Sequence, residues 1–246
     1  KTNLGGQSGT LLKGRRLNKV AILQSCYLPW RGYFDLIRQA DVFVFLDSVQ
    51  YTRRDWRNRN KIITPAGLHW LSVPVHGSRD LFINQVQIDN SIPWQKKHYN
   101  TLCQYYKRSS CFADFHPWLK EVYLDSRWTM LSELNQFLIC RISDFLGIQT
   151  RFVPDTQFTV TPDKNQRLVE IVQELGGRVY LTGPNALGYL DIELFHARGI
   201  EVEVMHYPQY PSYQQFWGMS EPKVSIIDLL LHKGKDSLNY ITGATI

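Results

Sequence analysis

The sequence has few cysteines and no long apolar segment, and both features limit what the chain can be. Four cysteines, Cys26, Cys103, Cys111 and Cys140, form no CxxC pair and no cluster with the spacing of a zinc site. The longest apolar runs fall far short of the roughly 20 residues that a membrane-spanning helix needs. Because a secretory signal is also missing, we expect a cytoplasmic protein without a membrane span or a metal centre.

The composition is that of a globular protein with a moderate basic excess. Hydrophobic residues make up 43% and charged residues 20% of the 246 positions, which suits one large domain. The formal charge of +6 admits a phosphate-bearing partner, whether nucleotide, nucleotide-sugar, nucleic acid or anionic membrane surface. Residues 1–18 are rich in glycine and basic residues without periodicity, and we interpret them as a flexible leader. We assign residues 19–240 to a single domain.

Short apolar runs that alternate with helical patterns predict an α/β fold. We predict strands at residues 20–23, 42–46, 69–75, 148–153, 178–182 and 200–206, which are rich in β-branched and aromatic residues. Apolar residues at helical spacing predict a helical insertion at about residues 94–147. The expected architecture is a mostly parallel sheet flanked by helices, Rossmann-like or nucleotidyltransferase-like.

Two helix predictions in the last third of the chain depend on stop and start signals. Residues 187–198 have a helical pattern that Gly199 would end. Ser225 stands before an apolar run with Asp228 three positions later, which is typical of a capping box at a helix start.

Polar loops follow the first two predicted strands, at the sheet edge where open α/β sheets bind ligands. The first loop contributes Gln24 and Tyr27 as candidate substrate-binding residues. The second loop, residues 47–61, contributes Gln50, Tyr51, Trp56, Arg57, Asn58 and Arg59. Guanidinium forks suit phosphate or carboxylate, amides suit sugar hydroxyls or a base edge, and aromatic rings stack on a base or sugar. This set predicts a nucleotide-sugar site; the alternative is a structural polar network that holds a long loop.

Two weaker patterns concern anionic ligands. Thr182 and Gly183 stand where a predicted strand runs into a helix, so backbone N–H groups there could meet an anion or ribose, although a plain turn has the same sequence. Interleaved arginine and aromatic residues are also typical of nucleic-acid surfaces. A single local patch without a nucleic-acid-binding module argues against that partner.

Two residues are candidate general bases. His98 follows Lys96 and Lys97 in a polar helix start, and a histidine can take a proton from an amine or hydroxyl near neutral pH. Lys97 beside it is a candidate for substrate binding. Asp47 ends a hydrophobic strand and is the alternative base, while Cys26 would be a nucleophile only at a helix N-terminus. Each of these residues has a purely structural alternative, and the sequence identifies no cofactor.

Several ordered motifs together resemble the WbqC-like family. They are Gln24, residues 27–34 (YLPWRGYF), 47–62 with WRNRNKI at its end, 70–75, 94–98, 180–184 (YLTGP), 189–191 and 225–230 (SIIDLL). The resemblance implies a bacterial protein of surface-glycan assembly, such as O-antigen, lipopolysaccharide or flagellin glycan, that modifies a sugar or its acyl substituent. Ser25 and Cys26 stand where other members often carry proline or asparagine.

The opening of the chain is also similar to nucleotidyltransferase-like and pantothenate-synthetase-like folds, which bind ATP over the first loop. Those enzymes place paired histidines around the loop glycine, whereas Trp30, Arg31 and Tyr33 surround Gly32 here. The side chains of the two polar loops and the resemblance to the WbqC-like family together lead us to expect a transferase. It would act on a nucleotide-linked amino sugar with an activated acyl or aminoacyl donor. The alternatives are a non-catalytic glycan-binding or partner-binding protein and an ATP-dependent adenylylating ligase.

Overall fold

A computed structural model describes residues 19–76 and 80–242. The elements along the chain are β1 (Lys19–Leu23), α1 (Arg31–Gln39), β2 (Val42–Phe45), β3 (Arg59–Thr64), β4 (Gly67–Ser72), β5 (Val75–His76), β6 (Gln87–Ile88), α2 (Trp94–Tyr106), α3 (Phe112–Lys120), α4 (Leu131–Phe145), β7 (Arg151–Pro154), α5 (Lys164–Glu174), β8 (Val179–Thr182), α6 (Ile192–His196), β9 (Glu201–Val204) and α7 (Ile226–Lys233). The leader predicted at residues 1–18 lies outside the described residues.

The central sheet has five parallel strands in the order β7-β2-β1-β8-β9. The chain moves outward from β1 through β2 to β7, and then crosses over to β8 and β9 on the other side of β1. The winding direction therefore reverses between β1 and β8, which leaves a crevice beyond the carboxyl ends of these two strands. This topology confirms the predicted α/β fold.

Both faces of the sheet are covered, because alternate strand residues point to opposite sides. Ala21 and Phe43 belong to a core shared with α1, α4 and α7, whereas Val20, Val42 and Tyr180 pack with α5 and α6. Burial on two sides explains why these strands appear in the sequence as unbroken apolar runs. Residues 94–147, where apolar residues at helical spacing predicted helices, contain α2, α3 and α4.

The strand predicted at residues 69–75 is confirmed at residues 69–72, which lie in β4, but it does not join the central sheet. Its residues fall in β4, which pairs with β3 in an antiparallel hairpin, and in β5, which pairs with β6. The loop predicted at residues 47–61 ends early, because β3 begins at Arg59. Asn60 and Ile62 are buried while Arg59 and Lys61 are not, so the strand alternates, but the density of charge hid this pattern.

The last third differs from the predictions in two details. Residues 187–198 contain only the short α6, which follows a 3₁₀ turn at Pro184–Gly188. Ser225 caps α7 by accepting a hydrogen bond from the Ile227 N–H at 3.3 Å, as predicted. Asp228 does not complete a capping box, since its buried carboxylate accepts from the hydroxyls of Tyr106 and Tyr213, each at 2.7 Å. Among the described residues, no helix is both long and apolar enough to cross a membrane.

Candidate functional site

A cleft of about 850 Å³ opens beyond the carboxyl end of β1. Its walls come from the loop after β1 with the start of α1, from residues 56–61, from Asn185 after β8, and from residues 207–223. We call this last segment, which follows β9, the strap. The cleft lies at the reversal of winding between β1 and β8, where an α/β sheet binds its ligand.

Hydrogen bonds to buried acids fix the strap over the cleft. The Tyr210 hydroxyl donates to Asp35 in α1 at 2.7 Å, and the Tyr213 hydroxyl donates to Asp228 in α7 at 2.7 Å. Burial first, and then the neighbouring carboxylate, raises the pKa of both tyrosines, so they remain protonated donors. The strap is thus held by α1 and α7 although most of it forms no regular secondary structure.

Arg31 is a buried cation at the start of α1, with only 5% of its surface exposed. Its Nη1 donates to the carbonyls of Pro211 at 2.8 Å and Tyr240 at 3.3 Å, and its guanidinium lies 5.0 Å from the centre of the Tyr210 ring. No carboxylate in the described ranges forms an ion pair with it, and its buried Nε has no partner there. Burial lowers the pKa of Arg31, against the opposing effect of nearby tyrosines and Asp228.

A buried cation without a paired carboxylate is costly, and an anionic ligand in the adjoining cleft would offset that cost. The residues that line the cleft also carry more positive than negative charge. Its basic residues are Arg31, Arg57, Lys61 and Lys223, whereas Glu221 is the single carboxylate among the described lining residues. The cleft therefore favours an anion such as phosphate or carboxylate.

Arg57 connects the second polar loop to the first. Its Nη1 donates to the Cys26 Sγ at 2.7 Å and its Nη2 to the Gln24 Oε1 at 3.2 Å. Burial raises the pKa of the Cys26 thiol, although the charge of Arg57 opposes this shift. Cys26 also lies ahead of α1 rather than at its N-terminus, so the condition set for a nucleophilic thiolate is not met.

The predicted substrate-binding residues separate into two groups. Gln24, Trp56 and Arg57 line the cleft. Outside its lining are Tyr27, Gln50, Tyr51, Asn58, Arg59, Lys97, Thr182 and Gly183. The roles of both groups stay predictions.

Asp47 supports the first loop from behind. Its carboxylate accepts from the Ser25 N–H at 2.9 Å and from the Gln136 side chain at 2.8 Å. Burial raises its pKa against these hydrogen bonds. Asp47 does not line the cleft, but it fixes the residue between Gln24 and Cys26, which do. Its role as a base stays a prediction.

His98 lies in a different place from Asp47. Only 3% of it is exposed, and its Nδ1 is 2.9 Å from the hydroxyl of Tyr27, which is 2.6 Å from that of Tyr123. His98 and Lys97 line a second cavity of about 230 Å³, together with Trp70 from β4. The two predicted bases therefore do not converge on one site.

The environment of His98 predicts a pH dependence of stability. Burial lowers its pKa from 6.5 to about 4, so the unfolded chain takes up the proton first as the pH falls. The contribution of the neutral His98 to the free energy of unfolding is complete above about pH 6.5 and is lost as the pH falls toward 4. The loss amounts to about 2–3 kcal/mol at pH 4.5. Urea denaturation at pH 7.5 and 4.5 should show that His98→Gln loses this share of the pH dependence, while His206→Gln at an exposed position retains it. If the free energy of unfolding changes equally between pH 7.5 and 4.5 in wild type and His98→Gln, His98 is not the source of this pH dependence.

Comparison with known proteins agrees with the motif resemblance. The model of the WbqC-like protein family matches residues 24–240. The chain belongs to the WbqC-like protein family. A Mycobacterium tuberculosis (strain ATCC 25618 / H37Rv) protein named "Uncharacterized protein Rv1507c" is 41% identical to this WbqC-like protein over 227 residues, which cover 92% of this chain and 98% of the relative. No solved structure matches it. Family membership suggests a protein associated with glycan biosynthesis.

Sequence reasoning missed two features of the cleft of this WbqC-like protein, Arg31 and the strap. Arg31 stands in the motif used for the resemblance, yet it was not predicted as a ligand contact. The strap was not predicted as a wall either, although prolines and tyrosines alternate at residues 207–213, directly after a strand. That position, at the carboxyl end of β9, was the available signal.

Proposed function

We propose that this WbqC-like protein is a transferase of glycan biosynthesis that binds a nucleotide-linked amino sugar in the cleft. The observation that carries the proposal is the buried Arg31. It forms no ion pair with a carboxylate among the described residues, and it lines the cleft together with Arg57. A volume of about 850 Å³ lies within the range of small-molecule sites. A sugar diphosphate supplies the negative charge that two guanidinium groups recognise well.

The remaining lining residues suit the other parts of such a ligand. Trp30 and Tyr207 lie with ring centres 5.2 Å apart and offer aromatic surface to a base. Gln24 and Gln209 offer amide donors and acceptors to sugar hydroxyls. We place the diphosphate near Arg31 and Arg57, between these two regions.

In the proposed reaction the sugar amine attacks the carbonyl carbon of an activated acyl or aminoacyl donor. A new C–N bond forms, the donor's activating group leaves with the electron pair, and a base takes the amine proton. Asp47 is the candidate nearer to the cleft, since it holds Ser25 directly, and its raised pKa strengthens it as a base. His98 remains the second candidate, at the second cavity.

A non-catalytic glycan-binding protein is the second candidate function. It is favoured by the finding that neither Asp47 nor His98 lines the cleft. The two functions differ in one test: in a transferase, Asp47→Asn or His98→Gln lowers product formation without abolishing nucleotide-sugar binding. In a binding protein, both variants leave the product unchanged.

Calorimetric titration tests the ligand directly. We expect binding of a uridine- or guanosine-diphosphate amino sugar, weakened about ten-fold or more in Arg57→Ala, because a hydrogen bond to a charged group contributes roughly 1.5–3 kcal/mol. Arg151→Ala is the matched control, since Arg151 is exposed on β7. Binding of ATP but of no nucleotide-sugar would instead support the adenylylating ligase, and wild-type affinity in Arg57→Ala would contradict the proposed site.

A further inference from the structure

Two tryptophans with large exposed surfaces stand together beside the cleft. Trp56 is 45% and Trp70 40% exposed, and their ring centres are 5.6 Å apart at an angle of 35°. Arg59 lies 4.3 Å and Lys61 5.6 Å from the centre of the Trp70 ring. We call Trp56, Arg59, Lys61 and Trp70 the tryptophan platform.

The backbone holds the platform in place. Lys61 and Trp70 are cross-strand partners in the β3–β4 hairpin, and Arg59 lies two residues before Lys61 on the same face. The carbonyl of Trp56 accepts a hydrogen bond from the Tyr27 N–H at 3.0 Å, which ties this residue to the loop after β1. Contacts between cations and rings restrict the side chains further, so the platform is arranged before any ligand arrives.

The platform spans the space between the two cavities. Trp56 and Lys61 also line the cleft, whereas Trp70 also lines the second cavity. A molecule on the two rings would thus lie against the mouth of the cleft, within reach of whatever the cleft holds. This placement suits a ligand that lies next to the molecule in the cleft rather than a remote partner.

We propose that the tryptophan platform binds an acidic saccharide of the growing glycan, which is a different molecule from both the nucleotide-linked amino sugar and the acyl donor of the proposed reaction. The C–H faces of pyranose rings pack against the electron-rich faces of the indoles, while Arg59 and Lys61 pair with carboxylate or phosphate groups on the sugar. Two rings and two cations match a ligand of a few sugar units. The inference rests on the proposed function and extends it, because it adds a second ligand site beside the cleft.

A single-stranded nucleic acid is less well matched. A backbone track needs basic residues along a groove, but the platform is a short patch, and the carboxylate of Asp55 lies 3.8 Å from Arg57 beside it. The Asp55 carboxylate would repel the successive phosphates of a nucleic-acid backbone. A single acidic group can pair with Arg59 without approaching Asp55.

Saccharide titration monitored by tryptophan fluorescence or NMR tests the proposal. The probes are a uronic-acid-containing oligosaccharide, a neutral maltooligosaccharide of equal length, and oligothymidylate. We expect the acidic oligosaccharide to bind best, and Trp70→Ala to weaken it about ten-fold while Trp70→Phe retains most of the affinity. Tyr189→Ala is the matched control, because Tyr189 is 63% exposed, lies outside the strap and lines neither cavity.

Arg59→Gln provides an independent test, because Arg59 lines neither cavity. It should reduce the preference for the acidic over the neutral oligosaccharide several-fold, because only Lys61 remains to pair with the acidic groups. The proposal is overturned if the acidic oligosaccharide does not bind, if Trp70→Ala binds it as well as wild type, or if oligothymidylate binds more tightly. Nucleotide-sugar calorimetry on the same variants separates the two sites, because Trp70→Ala should bind the nucleotide-sugar normally. If the wild-type protein does not bind the nucleotide-sugar, that result counts against the proposed function alone.

Discussion

Replacing Arg31 by methionine should weaken nucleotide-sugar binding roughly ten- to hundred-fold, which is the loss of one or two hydrogen bonds to a charged group. Methionine keeps an unbranched apolar stem beside the rings of Tyr210 and Tyr213 but removes the buried charge. Two carbonyls lose their donor, but the desolvation cost of the guanidinium also disappears. We therefore expect the melting temperature of the ligand-free protein to change by only a few degrees.

Arg38→Met is the matched control for this variant, because Arg38 lies on the same helix and pairs with Asp35 at 2.8 Å outside the cleft. It should lower stability slightly, as partly exposed ion pairs do, and leave calorimetric affinity unchanged. Arg31→Met with wild-type affinity would show that the ligand does not use this guanidinium. A large loss of stability in the same variant would show that Arg31 is mainly structural.

Replacing Asp228 by alanine should cause the largest loss of stability. Its fully buried carboxylate accepts hydrogen bonds from Tyr106 at 2.7 Å, Tyr213 at 2.7 Å and Gln215 at 3.1 Å. Removing it leaves the two buried tyrosine hydroxyls without this acceptor, whereas Gln215 still donates to the Glu221 carbonyl at 3.1 Å. We expect a cost of about 3–5 kcal/mol, or roughly 10 °C in melting temperature. The strap also loses its anchor on α7, so ligand affinity should fall with stability.

Calorimetric melting of Asp228→Ala and of Asp144→Ala provides the comparison. Asp144 is an exposed helix residue whose side chain lies 4.0 Å from Arg141, so its removal should shift the melting temperature by no more than a degree or two. Similar shifts in the two variants would mean that water replaces the Asp228 carboxylate at little cost. Tyr213→Phe should show an intermediate loss, since it removes one of the three donors.

The sequence predicted the middle of the central sheet well because β1, β2 and β8 are largely buried on both faces. The runs that became β1 and β2 contain little except apolar residues, and a short apolar run between turn signals is typical of a parallel strand. β3 was missed because only one face of its first half is buried. Arg59 and Lys61 point outward, and next to Arg53, Arg54 and Arg57 they gave the appearance of a charged loop.

The site was predicted less completely, because its central feature arises from distant parts of the chain. Arg31 is buried against the carbonyls of Pro211 and Tyr240, which are distant in the sequence, and no local pattern predicts such contacts. Gln24, Trp56 and Arg57 were predicted because each lies directly in a loop after a strand. His98 was placed by its polar neighbours, but the tertiary fold directs its ring toward Tyr27 and away from the cleft.

The order of strands in the sheet has a consequence for synthesis on the ribosome. β2 ends at Phe45, whereas β7, which covers its outer edge, begins at Arg151, about a hundred residues later. At a translation rate of roughly 5–20 residues per second, that apolar edge stays open for about 5–20 seconds. The other edge of β1 stays unpaired for still longer, because its partner β8 begins only at Val179. An open, uncharged parallel edge invites pairing with other nascent chains, so the newly made protein should depend on chaperones far more than the finished fold does.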